Sequence, residues 1–342
     1  MSDQARPGPR NLITDVPGLK VGQAEDANAR TGVSVILPDA PAVAACDVRG
    51  GGPGTRETDA LEPENLVDAI HAIVLAGGSV YGLAAADGVT AQLGARGVGY
   101  KFAPSSTTPA APIVPAAILF DLGNGGDKGW GLDPPYRRLG LAAAESAGET
   151  FALGTAGAGF GAMAGRLKGG VGSASIVTTD GIVVGAIAAV NSFGAVIAPG
   201  GRSFWAAPFE IDAEFGGLGA SGLAAAADDW GDAKANPAAR QNTTIACVAT
   251  NVALTPAQAK RVAIMAQDGI ARAVRPAHAP FDGDVVFALS TARTPLAEPQ
   301  ARGIARIGAL AADCLARAIA RGVYEATPWS ADGPLCWRDL RG

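Results

Sequence analysis

Gln241-Asn242-Thr243-Thr244-Ile245-Ala246-Cys247-Val248-Ala249-Thr250 runs from polar residues into a continuous apolar segment. Asn236, Pro237 and Arg240 precede it, so the pattern predicts a loop that delivers two threonines to the head of a buried strand, Thr244–Thr250. Cutting the chain between Asn242 and Thr243 would leave a threonine at a new N-terminus. Such a residue carries both halves of a nucleophilic catalyst: its hydroxyl attacks, and its free α-amine, with a reference pKa of roughly 8, takes the proton. No histidine is required. The expectation is a chain that cleaves itself into residues 1–242 and 243–342.

Working outward, Thr255-Pro256-Ala257-Gln258 supplies a helix N-cap, a proline at the first helical position and a glutamine three residues after the cap. The helix that follows repeats Val262, Met265, Gly269, Ile270 and Ala273 on one face. Phe281-Asp282-Gly283-Asp284 opens the strand Val285–Ser290. A last amphipathic helix around Ile304–Ile319 carries Arg302, Arg306 and Arg317 on its other side. Upstream, Val33–Leu37, Ala42–Val48, Ile70–Leu75, Val114–Leu122 and Ile182–Val190 read as strands. Gly77–Leu83 turns into a helix ending near Leu93, and a modest helix spans Leu139–Ser146. Residues 1–20 read as a tail and turn, Gly154–Gly172 as a loop, and 199–241 lacks periodicity. Strands and helices in this order predict a layered α/β architecture with helices covering stacked sheets.

Composition narrows the function. The chain has 342 residues, 48% of them apolar and 17% charged, which is globular. Its 47 glycines lack both the triplet of collagen and the bias of a linker, so they read as tight turns and close backbone approaches. A formal charge of −5, without a basic stripe, argues against nucleic acid or an anionic membrane as partner. No signal-like or membrane-spanning run occurs, and a cytoplasmic location is expected. The cysteines Cys46, Cys247, Cys314 and Cys336 are far apart, with no histidine at ligand spacing, so neither a metal nor another cofactor is expected. His71 and His278 have no nucleophile motif to serve. The former reads as a satisfied residue beside a strand. The latter lies four residues before Asp282, where it could line a pocket.

Several residues could converge on Thr243. Asp282 and Asp284 either make a solvated turn or flank the new amine. Asn191, at a strand end, either caps a turn or donates to an oxyanion. Arg166 and Lys168 are the only charges in the glycine-rich 154–172 stretch. Arg49-Gly50-Gly51-Gly52-Pro53-Gly54-Thr55-Arg56 is a loop that could cradle an anion, yet it lacks phosphate-loop spacing.

Taken together, Arg49–Thr58, Leu75-Ala76-Gly77-Gly78-Ser79-Val80-Tyr81-Gly82-Leu83, Lys168-Gly169-Gly170-Val171-Gly172, Asn242-Thr243-Thr244-Ile245 and Asp282-Gly283-Asp284 resemble the P1 (DmpA-like, S58) peptidases. That family holds L-aminopeptidase/D-amidases, β-peptidyl aminopeptidases and nylon-oligomer hydrolases, and the Asn-Thr-Thr junction is most similar to the nylon-oligomer branch. The resemblance implies a four-layer αββα sandwich, one domain over residues 1–342, matured into a 1–242 and a 243–342 chain and assembled as several such pairs. It makes Thr243 the nucleophile, Asp282 and Asp284 its positioning carboxylates, and Asn191 the oxyanion donor. Lys168 fits the Lys-Gly-Gly block as catalytic cation, whereas a match through Ala164-Gly165 falls on Arg166. Tyr81, Phe120 and Arg166 become pocket residues, with Phe120 standing where the nylon-oligomer branch has a tyrosine. The function implied is hydrolysis of small peptides or peptide-like amides through an acyl-enzyme on Thr243. The alternatives are an acyltransferase using the same intermediate, as in the similarly folded ornithine acetyltransferases, and a non-catalytic small-molecule-binding protein.

Overall fold

Small and β-branched residues alternating with period two build most of the strands. In chain order these are β1 (Leu19–Asp26), β2 (Thr31–Pro38), β3 (Val43–Val48), β4 (Thr55–Arg56), β5 (Ile73–Ala76), β6 (Ala116–Ile118), β7 (Met163–Ala164), β8 (Leu167–Lys168), β9 (Gly170–Val177), β10 (Val183–Asn191), β11 (Thr243–Val252) and β12 (Val285–Thr294). The α-helices are α1 (Ala84–Ala95), α2 (Tyr136–Glu145), α3 (Pro256–Ala273) and α4 (Gln300–Tyr324). This computed structural model describes residues 5–101, 107–222, 229–234, 242–330 and 333–340. Asn236, Pro237, Arg240 and Gln241, which shaped the reading of the approach to Thr243, lie outside them.

One sheet has the order β1-β2-β5-β6-β4, the other β3-β12-β11-β10-β9, and β7 pairs with β8 in a small hairpin. Alternation sets the layers. Ile245, Cys247 and Ala249 of β11 face the space between the sheets, with Ile36, Ile73, Leu75 and Phe287. Their neighbours Ala246 and Val248 face α3 and α4, against Val262, Ile270, Leu315 and Ile319. On the far side Val33, Val35 and Val74 pack with Val89 of α1 and Leu139 of α2. The result is helices, sheet, sheet, helices: the αββα sandwich. Each Ile or Leu fully buried in these layers contributes about 1.5–3 kcal/mol.

The capping box forms as the sequence predicts: Gln258 N donates to Thr255 Oγ1 at 3.3 Å and Thr255 N to Gln258 Oε1 at 2.9 Å. Four expectations need correction. The tail reading of residues 1–20 gives way at Leu19, where β1 begins and pairs with β2 along its whole length. The strand expected over Val114–Leu122 shortens to Ala116–Ile118. The glycine-rich 154–172 stretch is not all loop, because β9 starts at Gly170. There a Cβ on Gly172 would lie 1.8 Å from the Ala318 carbonyl oxygen, so glycine is what lets the backbone of α4 rest on the strand. Arg317, expected on the polar side of α4, is fully buried. It pairs with Glu214 and donates to Ser175 O at 2.9 Å and Asn11 Oδ1 at 3.0 Å. Among the described residues no helix is long and apolar enough to cross a membrane.

Candidate active site

Sheet topology assembles the site at one end of β10, β11 and β12. Parallel pairing of β11 with β12 brings their first residues side by side, and antiparallel pairing of β10 adds its last. Asn191 therefore lies opposite Thr243, and Asn242 bridges to Asp282. All five of Asn191, Asn242, Thr243, Asp282 and Asp284 are at most 2% exposed.

Around the Asn242–Thr243 peptide, the Gly283 N–H donates to the Asn242 carbonyl oxygen at 2.8 Å. The Thr243 hydroxyl donates to the same oxygen. Glycine at 283 is required for this approach, since a Cβ there would stand 2.6 Å from Thr243 Oγ1. Among the described residues, both polar atoms of the Asn242 side chain and the Thr244 hydroxyl are buried without a partner. Orphaned groups of this kind cost about 1–3 kcal/mol each.

The two carboxylates are held by backbone amides. Asp282 accepts from Ala279 N at 2.8 Å and from Phe193 N at 3.3 Å. Asp284 accepts from Thr244 N at 2.7 Å and from His278 N at 3.2 Å, and its Oδ2 lies 2.8 Å from His278 Nδ1. Burial, then the charge of Asp284, push the Asp282 carboxyl up to about 6. The Arg49–Arg56 loop backs this segment: Gly52 N donates to Asp282 O at 2.7 Å, and a Cβ on Gly50 would stand 2.3 Å from Asp284 N. Its glycines are explained by close backbone approach.

Asn191 is fixed on both ends of its amide. Met163 N donates to Oδ1 at 2.9 Å, and Nδ2 donates to Phe120 O at 3.0 Å. Beside it opens a cavity of about 160 Å³ lined by Phe120, Asp121, Met163, Asn191 and Lys234, among others.

The remaining sequence-predicted residues stand at different removes. Lys168 is wholly buried, and its ammonium donates to Gly169 O at 2.6 Å and to Gly159 O and Ala162 O, both at 3.1 Å. Burial pushes that amine down to about 7. Lys168 pairs across the β7–β8 hairpin with Met163, the residue whose amide fixes Asn191. Arg166 is largely exposed and ion-paired with Asp232. Tyr81 is 47% exposed, sets its ring edge-on to Trp130 at 5.7 Å, and does not line the Asn191 cavity. His71 is buried and accepts from Ile113 N at 3.1 Å, the satisfied state expected of it.

Sequence reasoning missed one group and left another as no more than a pocket candidate. His278 faces Asp284 from a left-handed backbone, φ 58°, and only its nearness to Asp282 hinted at that. Lys234 donates from Nζ to Asn191 O at 3.1 Å and Oδ1 at 3.4 Å; it lies in the aperiodic 199–241 stretch, where no local pattern marks it.

Known proteins share this architecture. A beta-aminopeptidase of Burkholderia sp. superposes with a TM-score of 0.70 at 21% identity, covering 98% of this chain and 94% of that one. The L-aminopeptidase D-Ala-esterase/amidase of Ochrobactrum anthropi, a variant of the Ntn hydrolase fold, gives 0.69 at 19% identity with the same coverage. In sequence, an uncharacterized aminopeptidase of Mycobacterium tuberculosis (strain ATCC 25618 / H37Rv) is 44% identical over 96% of this chain and 98% of its own length. A 6-aminohexanoate-oligomer endohydrolase of Kocuria sp. (strain KY2) is 31% identical over 83% of this chain and 76% of its own. The profile of peptidase family S58 matches residues 11–333, and with these relatives it shows that the chain belongs to peptidase family S58, a family of aminopeptidases and amidases.

Proposed function

We propose that the chain is a self-processing amide hydrolase with Thr243 as its nucleophile, acting on small peptides or peptide-like amides. One observation carries the reading. The Asn242 carbonyl oxygen is held by the Gly283 N–H at 2.8 Å while the Thr243 hydroxyl touches that same oxygen, with Asp282 and Asp284 to either side.

Self-cleavage begins as the Thr243 hydroxyl oxygen adds to the Asn242 carbonyl carbon. Charge then grows on the oxygen that Gly283 already holds, and one such donor is worth roughly 3 kcal/mol in the transition state. As the C–N bond breaks, the hydroxyl proton passes to the Thr243 nitrogen, leaving an ester between Asn242 and the Thr243 oxygen. Water opens the ester, giving a carboxyl group on Asn242 and a free amine on Thr243. The buried orphan atoms of Asn242 then regain water, which removes part of the cost of the uncut state.

In turnover the neutral amine of Thr243 takes its own hydroxyl proton as the oxygen attacks the substrate amide, and returns it to the leaving amine. Asp282 and Asp284 orient that amine, Asn191 and Gly283 serve the oxyanion, and Lys168 holds the hairpin that sets Asn191. Phe120 and Asp121 face the acyl portion in the cavity beside Asn191. Relatives named as aminopeptidases and as 6-aminohexanoate-oligomer endohydrolases support linear amides of amino acids as the substrate class. The mature form is a 1–242/243–342 pair, assembled into a homo-oligomer, with neither nucleic acid nor membrane as partner.

The test is Thr243→Ala beside the wild type, followed by denaturing gel and by a panel of aminoacyl amides and 6-aminohexanoate oligomers. Fragments of roughly 24 and 10 kDa from the 34.0 kDa wild type, and neither fragments nor turnover from the variant, are expected. Turnover by uncut wild-type protein would refute the mechanism.

A further inference from the structure

Lys234 belongs to a short segment, residues 230–234, that is pinned at several points. Lys234 N donates to Phe193 O at 3.0 Å, and Trp230 sets its ring edge-on to Phe193 at 5.7 Å. Phe193 in turn meets Phe281, the residue before Asp282, at 4.6 Å. Arg166 N donates to Asp232 O at 2.9 Å while the Arg166 guanidinium pairs with the Asp232 carboxylate. Gly165 completes the contact: a Cβ there would stand 2.3 Å from Asp232 O, and its φ is +56°. These contacts deliver one ammonium group to the Asn191 cavity.

That group is well placed for charge balance. Asp282 and Asp284 are neighbouring buried carboxylates; burial pushes the Lys234 amine down to about 7, Asp282 draws it back up, and Lys234 in turn draws the Asp282 carboxyl down. Lys168, by contrast, spends its donors on Gly159, Ala162 and Gly169. The groups facing Lys234 are Asn191 at the end of β10, Asp282 before β12 and Asp121 after β6; Asp232 on its own segment is taken by Arg166.

We infer that Lys234 is a positioning residue of this active site: its ammonium grips both oxygens of Asn191, fixing the amide that serves the oxyanion, and offsets the charge of Asp282. Arg166 and Asp232 form the clamp that keeps it there. The inference rests on the reading of Thr243 as nucleophile. It gives the segment before the cut a lasting task. Cleavage at Asn242–Thr243 frees the amine of Thr243, while the clamp to Arg166 holds residues 230–234 in place and leaves Lys234 in the site. An ammonium on Oδ1 also polarises the amide and strengthens its N–H as a donor.

Lys234→Met and Lys234→Arg are compared with the wild type and with Thr243→Ala, following fragment formation by intact mass, kcat and KM for one aminoacyl amide, their pH profiles, and melting temperature. Lys234→Met is expected to lower kcat at least about tenfold with KM within about threefold, and to move the acid limb of kcat/KM up by about one pH unit, because Asp282 loses its cation. Lys234→Arg restores most of both. Asp232→Ala shifts both in the same direction by less. Wild-type rates and profile in Lys234→Met overturn the inference. So does slow turnover with an unmoved acid limb, or equal loss in Met and Arg variants with a lowered melting temperature. Activity in Thr243→Ala would instead refute the nucleophile assignment on which the inference stands.

Discussion

Gly283→Ala probes the site with the smallest possible change, one methyl group. The added Cβ would lie 2.6 Å from Thr243 Oγ1, 3.0 Å from Gly52 O and 3.3 Å from Thr243 Cγ2. Ordinary carbon–oxygen contact begins near 3.4 Å, so the hydroxyl must retreat by most of an ångström or rotate off its rotamer. Gly52 cannot give way freely, because its own N–H is tied to Asp282 O at 2.7 Å. A misplacement of about 1 Å in a reacting group costs on the order of 10²-fold in rate, equivalent to about 2.7 kcal/mol in the barrier. Overpacking alone costs about 1–3 kcal/mol of stability, which a folded domain of this size survives. The expected outcome is a folded protein whose self-cleavage is slowed about a hundredfold, read by intact mass over time. A thermal scan of the uncut Gly283→Ala chain beside the uncut Thr243→Ala chain separates folding from chemistry. Cleavage at the wild-type rate would show that Gly283 does not constrain the Thr243 hydroxyl, and the proposed geometry of attack would fail.

The other predictions concern buried charge. Because burial and the neighbouring Asp284 raise Asp282 to about 6, its native form holds a proton that the unfolded chain, at roughly 3.9, has already lost. The stability it contributes is therefore fully present below about pH 4 and is lost as pH rises through about 6. Asp282→Asn should flatten melting temperature against pH over that window; an unchanged slope would refute the assignment. Arg317→Met leaves Glu214, whose side chain is 7% exposed, without its main partner, since Arg321 lies 3.6 Å away. A loss of about 3–5 kcal/mol in denaturant unfolding is expected, and adding Glu214→Gln should recover part of it. A loss under about 1 kcal/mol would contradict the burial of that pair.

Much of the site was legible locally. A threonine opening a buried strand, an Asp-Gly-Asp opening another and an asparagine closing a third are patterns within ten residues. The β9 glycines were read as loop because nothing local shows that the backbone of α4 rests on Gly172. Arg317 looked like a surface residue because its partner Glu214 lies far along the chain in an aperiodic stretch. Lys168 was singled out by its Lys-Gly-Gly block, whereas no local pattern marked Lys234. Three carbonyls occupy one, and the other reaches Asn191.

Residue order alone determined the layered α/β plan, the strand that begins at Thr243 and the chemistry a freed threonine makes available, because period, caps and functional groups are properties of short segments. Tertiary structure decided which backbone N–H meets the Asn242 carbonyl, which lysine faces Asn191 and which imidazole faces Asp284. Those contacts depend on the registers of β10, β11 and β12 and on close glycine approaches between segments distant in sequence. Pairing of distant strands is selected by burying all the layers at once, and no single stretch encodes it.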